Sequence, residues 1–372
     1  MVEVLVIDST QDFADLEEKW EDLQRNSSLA TPYQSWAWLY SWWEFYGESY
    51  ELRLITVWEG ALLVGLAPLM LERRWGFGRL LFIGTGITDY LDVIVRQGWE
   101  GQVSEAGSRA LGRMDCWHVM DLQQLRPEAA AWNMFKDWSG PRTCIWQDNT
   151  PTIPVKPWDE MLKHVDRKLR SNVRRTLRRA EAHGVRTELA SVDNVEQAAH
   201  KMVVLHREAW QGRNIAPEHL TRRFKAHLQT AARRMTVRGW GGISEFWRNG
   251  EVIASHLVVF GQDFVAQVLF GVRQDVLPNY QMYSLYTKDM VDMALSRNIP
   301  CLNWGRGEES YKLYWTSKVF SSNRVILGRS LVSWAPYTSY LILYSKARWY
   351  VNSESAPRWV KSAAARYRNR DL

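Results

Sequence analysis

The apolar positions follow two periods that alternate along the chain. Met1–Asp8 alternates as a strand does. Phe13, Leu16, Trp20 and Leu23 then recur at helical spacing, which predicts a helix from a Thr10 cap to about Arg25. Pro32 to Tyr46 is rich in aromatic residues and reads as helical from Ser35. Leu52–Trp58 alternates again, Glu59-Gly60 turns, and Ala61–Leu71 runs back as a second strand. Short strands follow near Leu80–Ile83 and Tyr90–Val95, then a helix over Trp99–Gly112 and a strand over Cys116–Asp121. Asn149, Pro151, Pro154 and Pro157 mark a linker.

Beyond it the pattern starts again. One long helix is expected from Trp158 to His183, closed by Gly184 where a left-handed cap is favoured. Helices over Val195–Trp210 and Pro217–Arg234 come next. Thr236–Trp247 and Glu251–Phe260 flank Asn249-Gly250, the residue pair that suits a two-residue hairpin turn. A strand at Phe264–Phe270, a helix at Tyr280–Arg297 and strands at Cys301–Trp304 and Phe320–Leu327 complete the series. The hairpins around Trp58-Glu59-Gly60 and Trp247-Arg248-Asn249-Gly250 resemble each other, so an internal duplication is one reading. The expected organisation is a lobe at 1–150, a second at 151–330 and an aromatic, basic helical tail at 331–372. The class is mixed α/β, with largely antiparallel sheets flanked by helices.

Composition narrows this picture little. The 372 residues are 46% hydrophobic and 24% charged, ample for ordinary cores. Cys116, Cys144 and Cys301 are scattered without CxxC spacing, so neither a disulfide framework nor a cysteine metal site is expected. The first residues lack the basic flank and apolar run of a signal peptide, and no apolar run is long enough to span a bilayer. A cytoplasmic protein is the expectation, with peripheral membrane contact left open by the tail. Trp334, Tyr337, Tyr340, Tyr344, Arg348, Trp349, Tyr350, Arg358, Trp359, Lys361 and Arg366 suit a helix on a membrane surface, or one packed along the first lobe. The 21 tryptophans serve burial first, and sugar or membrane contact second.

The net charge of +6 permits an anionic partner. Much of it lies in Arg167–Arg179, where Val165, Leu169, Val173 and Leu177 recur every fourth residue and cations cover the other faces. Arg174 and Arg175 either face phosphates or lie on a solvated helix face. In Gly305-Arg306-Gly307-Glu308-Glu309, two glycines free the backbone around one guanidinium able to hold phosphate or carboxylate. Glu308 or Glu309 suits a general base, Tyr311 an acid for a leaving thiolate, and Lys312 an oxyanion partner. A strand-to-helix turn with capping acids is the plainer alternative. Asp89 and Asp92 offer an acid to a cleft between the lobes, or an Asx turn and a solvated carboxylate. His256, in an apolar strand, is a base near neutrality or a satisfied core histidine.

These segments, taken in order, resemble a known group. They are Ser35-Trp36-Ala37-Trp38-Leu39, Val64-Gly65-Leu66-Ala67-Pro68-Leu69, Thr88-Asp89-Tyr90-Leu91-Asp92, the basic helix, and the run Trp304 to Trp315. The chain resembles the CelD-type acetyltransferases, a FemAB-like branch of the GNAT superfamily, over roughly residues 30–330. The resemblance implies two tandem GNAT-like lobes. It also implies acyl transfer in cellulose, exopolysaccharide or envelope biosynthesis, with acyl-CoA as donor; no metal is expected, since no zinc-ligand spacing is visible. The donor pyrophosphate is then expected at the helix start through Tyr283, Ser284, Leu285, Tyr286 and Thr287. The acceptor would lie near Asp89, Asp92, Trp304 and Arg306, and Arg174 and Arg175 would meet an anionic donor or a nucleotide- or lipid-linked acceptor. The helix start departs from the family in having no glycine-rich turn. Two alternatives stay open: a FemX-like transferase drawing on aminoacyl-tRNA, and a non-catalytic module that binds glycans or membranes.

Overall fold

The computed structural model describes residues 2–210, 216–307, 309–316, 318–352 and 357. Thirteen strands form one sheet, and the element order along the chain repeats. The first lobe runs β1 (Glu3–Ile7), α1 (Thr10–Asp15), α2 (Glu17–Arg25), α3 (Trp36–Tyr46), β2 (Glu51–Glu59), β3 (Leu62–Arg74), β4 (Phe77–Phe82) and β5 (Ile94–Val95). It continues with α4 (Glu100–Arg113), β6 (Val119–Leu125), α5 (Ala131–Phe135) and β7 (Arg142–Pro154). Two helices, α6 (Trp158–His164) and α7 (Arg167–Ala182), lead into the second lobe. There β8 (Arg186–Leu189), α8 (Val195–Ala209), α9 (Arg222–Arg238), β9 (Gly241–Arg248), β10 (Glu251–Phe260) and β11 (Val265–Val272) follow. Then come α10 (Met282–Ser296), β12 (Cys301–Asn303), α11 (Ser310–Leu313), β13 (Val319–Gly328) and the tail helix α12 (Leu331–Asn352).

The strand order is β1-β2-β3-β4-β6-β13-β7-β12-β11-β10-β9-β8, with β5 beside β3. All neighbours are antiparallel except β4 with β6 and β11 with β12. Each lobe therefore has four antiparallel strands, a crossover helix and a parallel fifth strand. The final strands are exchanged. β13, made last in the second lobe, pairs with β6 of the first, while β7 of the first lobe pairs with β12 of the second. β7 and β13 also pair with each other along most of their length.

Local chemistry accounts for where the elements begin and end. Asn249 and Gly250 both have positive φ (53° and 79°), which a type I′ hairpin turn requires. Ser35 caps α3 by accepting from the Trp38 amide. The first helix is capped by Ser9 rather than Thr10 and breaks at Leu16. The expected helix over Trp158–His183 is two helices, because extended Val165 ends one and Asp166 caps the next through the amides of Lys168 and Leu169. The strand expected from Thr236 begins at Gly241, since α9 continues to Arg238 and is closed by left-handed Gly239. The proline-marked stretch expected as a linker is the end of β7. Pro151 and Pro154 each occupy the terminal pair of a ladder, with Val319 and Cys301, where a missing N–H is tolerated.

One apolar core crosses both lobes, joining Trp20, Trp38, Trp42 and Leu54 to Met202, Phe224, Leu228 and Ile243. Helix α3 lies on α9, where the Trp38 ring meets His227 edge-on at 4.8 Å. Helix α12 docks on the first lobe through Trp334, Tyr337 and Leu341. The Tyr337 hydroxyl donates to buried Asp121 and accepts from Arg79. Val332, Tyr340 and Leu343 on the same helix are exposed. Among the described residues, no helix is long and apolar enough to cross a membrane.

Candidate functional site

β11 and β12 pair at only two positions, Val265 with Leu302 and Ala266 with Asn303. Beyond them β12 ends and β11 runs on to Val272, so the two backbones diverge. The ladder to β10 jumps from Leu257–Leu269 to Val258–Gln267, leaving Val268 as an extra residue on β11. Such a bulge bends the strand and re-aims its side chains. The wedge so opened is a cavity of about 270 Å³. Gln267 to Phe270 form one wall and Trp304 to Arg306 another, with His219, Tyr283, Tyr311 and Lys312 between and Trp38 and Asp89 across the lobe boundary.

Charges of both signs converge there. The Arg306 Nε donates to Asp89 Oδ1 at 2.7 Å, tying the second lobe to the first. Burial works against the guanidinium charge, but Asp89 outweighs it and raises the Arg306 pKa. Gly305 has φ +68°, and a Cβ on it would stand 2.9 Å from Asp89 Oδ2. Only glycine lets the backbone pass the carboxylate at this point. Asn303 Nδ2 donates to Tyr90 Oη at 2.7 Å, a second tie across the boundary. Lys312 is buried, donates to the Arg306 carbonyl oxygen at 2.6 Å and pairs with Glu309 at 2.8 Å. Tyr311 stacks on Tyr283 with centroids 3.6 Å apart. Burial and the neighbouring Tyr283 push the Tyr311 phenol far up, so it keeps its proton and remains a donor.

A second cavity, of about 240 Å³, lies at the start of α10. Asn172, Arg175, Thr176 and Arg179 of α7 form one side and residues Leu277 to Gln281 the other. Helix α7 buries Leu169, Val173, Thr176 and Ala180. That stripe fixes its roll and leaves Arg175 and Arg179 on the cavity. Arg179 donates to the Asn279 carbonyl at 3.0 Å. Helix α10 has no side-chain cap at its N-terminus, and the first amides of a helix favour an anion.

The structure thus brings Asp89, Trp304, Arg306, Tyr311, Lys312 and Tyr283 around one cavity, and Arg175 around the other. It sets several other expected residues elsewhere. Ser284, Leu285, Tyr286 and Thr287 are buried inside α10. The Ser284 amide is already bonded to the Gln281 carbonyl and Tyr286 Oη to the Gly271 carbonyl. Asp92 does not line the cavity; it is buried and accepts from the amides of Val93, Ala130 and Ala131 at the start of α5. His256 is buried with both nitrogens engaged, Nε2 by Asp289 and Nδ1 by Gln267, each at 2.8 Å. Arg174 is exposed, and Glu308 lies outside the described residues. Arg179, Gln267 and His219 were not anticipated. Arg179 stands one turn beyond Arg175 in the same basic run, a signal available from spacing.

The family model described as an acetyltransferase (GNAT) domain matches residues 167–313, a span that holds both cavities' second-lobe walls. Among solved structures, FemX is similar at 11% identity, with 87% of this chain and 96% of that chain covered and a TM-score of 0.57. L-PGS from Bacillus licheniformis is similar at 12% identity, with 89% and 96% covered and a TM-score of 0.55. A conserved protein of unknown function from Bacteroides thetaiotaomicron gives 8%, 88% and 100%, with a TM-score of 0.56. At these identities the likeness is one of fold. No curated protein matches the sequence.

Proposed function

We propose, from the match of residues 167–313 to a GNAT acetyltransferase domain, that this chain moves an acyl group from a phosphate-bearing thioester, an acyl-CoA, to an amine or hydroxyl held in the interlobe cavity. The observation that carries this reading is the pair of cavities on either side of the first turn of α10. The polar one, with Arg175, Arg179 and a helix start, suits the donor's phosphates. The other suits the acyl carbon and the acceptor. In this reading Arg306, oriented by Asp89, holds an anionic part of the acceptor. Lys312 stabilises the oxyanion of the tetrahedral adduct, and the Tyr311 phenol hydrogen-bonds the departing sulfur. The acceptor class is a polysaccharide, an envelope precursor or a small molecule.

Binding is the direct test. Coenzyme A or acetyl-CoA at saturating concentration should raise the melting temperature, since a ligand at 100 times its Kd stabilises by about 2.7 kcal/mol. Absence of any shift with a panel of acyl-CoA thioesters would dismiss the thioester donor. One observation favours a second donor, the aminoacyl ester of a tRNA. The start of α10 reads Gln281-Met282-Tyr283, with no glycine to let a pyrophosphate approach the backbone, while α7 offers a row of arginines. Affinity for charged tRNA that falls steeply with salt and exceeds that for a generic polyanion would support this donor.

A further inference from the structure

His219 lines the interlobe cavity from the short turn Pro217–Leu220 between α8 and α9. Its partner is His206 on α8, buried at 4% exposure. The Nδ1 of His206 lies 2.8 Å from the carbonyl oxygen of Phe270. A carbonyl oxygen can only accept, so the proton of His206 sits on Nδ1. Burial depresses the His206 pKa and keeps the ring neutral, which leaves a lone pair on its Nε2. That Nε2 is 3.2 Å from Nδ1 of His219, so His219 must donate there. A neutral His219 then carries its own lone pair on Nε2, and no described residue hydrogen-bonds that atom. The ring is held in place by Phe224, stacked at 4.5 Å, and the turn by Arg207, which donates to the His219 carbonyl at 3.2 Å.

We propose that the Phe270–His206–His219 relay fixes the His219 tautomer so that its Nε2 is the proton acceptor for the incoming nucleophile. The proposal rests on the acyl-transfer reading above and assigns the base that reading needs. The other candidate carboxylates and bases are less suited. Asp89 is committed to Arg306, Glu309 to Lys312, and His256 to Asp289 and Gln267. In the step itself, the acceptor's N–H or O–H bonds to Nε2 of His219. Its nitrogen or oxygen attacks the acyl carbon, a C–N or C–O bond forms, and the proton moves to Nε2. Collapse of the adduct breaks the C–S bond. The sulfur leaves with the electron pair and takes the proton back from the imidazolium, which restores His219. Burial, His206 and Arg306 lower the His219 pKa to about 4, so the ring is unprotonated at neutral pH.

Two measurements on the full chain test this. In the first, histidine ring nitrogens are read by nitrogen-15 NMR, with the His219 signals identified by their loss in H219Q. The proton of His219 is expected on Nδ1 and the lone pair on Nε2; a proton on Nε2 overturns the proposal. In the second, acetyl-CoA is the donor and hydroxylamine the acceptor, and thiol release is followed above the uncatalysed rate. H219A should lose about 10²-fold or more in kcat, keep the wild-type KM for acetyl-CoA, and regain part of the rate with added imidazole. Wild-type turnover in H219A, or a loss seen only in KM, overturns the proposal. If the wild-type protein releases no thiol at all, the thioester reading falls instead. The tautomer then upholds or overturns the assignment of Nε2 as the free base of the cavity.

Discussion

The two lobes share one element order, yet only the second has an open wedge. In both, a parallel pair follows the crossover helix and then diverges: β4 from β6 in the first, β11 from β12 in the second. In the first lobe the chain fills its own gap. After β4 it returns through Thr88–Val93, where the Leu91 amide bonds the Gln124 carbonyl and Tyr90, Leu91 and Val93 are buried. β5 then takes the place beside β3 that a longer β4 would hold. In the second lobe β11 keeps its full length along β10, and the link to α10 is short. The wedge stays empty of chain and becomes the cavity. The segment that closes the first wedge also delivers Asp89 to the second. In the acyl-transfer reading proposed above, one lobe acts as support and lends a single acid, while the other supplies the chemistry.

That contrast can be broken at defined points. The largest effect is expected at the tie between the lobes. R306Q should lower kcat/KM for an anionic acceptor by about 10²-fold or more with the fold intact, since losing one partner of a buried charge pair costs about 2–5 kcal/mol. A variant with the wild-type rate and circular dichroism spectrum would remove Arg306 from the chemistry. D92N should act on the first lobe alone. At least one of three buried amides loses its acceptor, at a cost of about 1–3 kcal/mol in urea unfolding, with little change in acetyl-CoA affinity. The sign of its pH dependence is fixed as well. Burial pushes Asp92 up to about 7 despite the three amides that favour its charge. The folded state therefore holds a proton that the unfolded state releases near pH 4. Wild-type stability should fall as pH rises from about 4 to 7 and level off above, and D92N should lack that slope. Urea midpoints across this range decide it.

A smaller effect belongs to the donor side. R175Q/R179Q should weaken acetyl-CoA binding by about tenfold, as loss of charge-assisted hydrogen bonds worth about 1.4 kcal/mol would, and flatten its salt dependence with little change in kcat. Equal affinity at low salt would return α7 to a solvated role. The smallest change is G305A, which presses a Cβ against Asp89 Oδ2 and forces a positive φ on alanine. A cost of about 1–2 kcal/mol is expected, read as a lower melting temperature. An unchanged melting temperature would show that the turn can relax.

Much of the fold was legible because local signals agreed with it. Asn249-Gly250, Ser35 and Gly184 each mark a boundary through chemistry confined to a few residues. Misjudged boundaries came from residues whose meaning depends on distant partners. Pro151 and Pro154 read as a linker until β12 and β13, far later in the chain, supply the ladders they end. The site was legible where it is continuous, in the run from Trp304 to Lys312. Asp89 and Asp92 are chemically alike and three residues apart, and only packing separates the acid that faces the cavity from the one that caps α5. His219 carries no periodic or motif signal. Its proposed role rests on a tautomer set through His206 by a carbonyl on β11.

The exchanged strands impose an order on how the molecule is made. During synthesis, β6 must wait for β13, which emerges nearly 200 residues after it, before its open edge is covered. Until then, the growing first lobe exposes an unpaired strand edge, the kind of surface that invites wrong partners. A ribosome-bound chain halted before Val319 should therefore bind chaperones and resist compaction, and one extended past Gly328 should not.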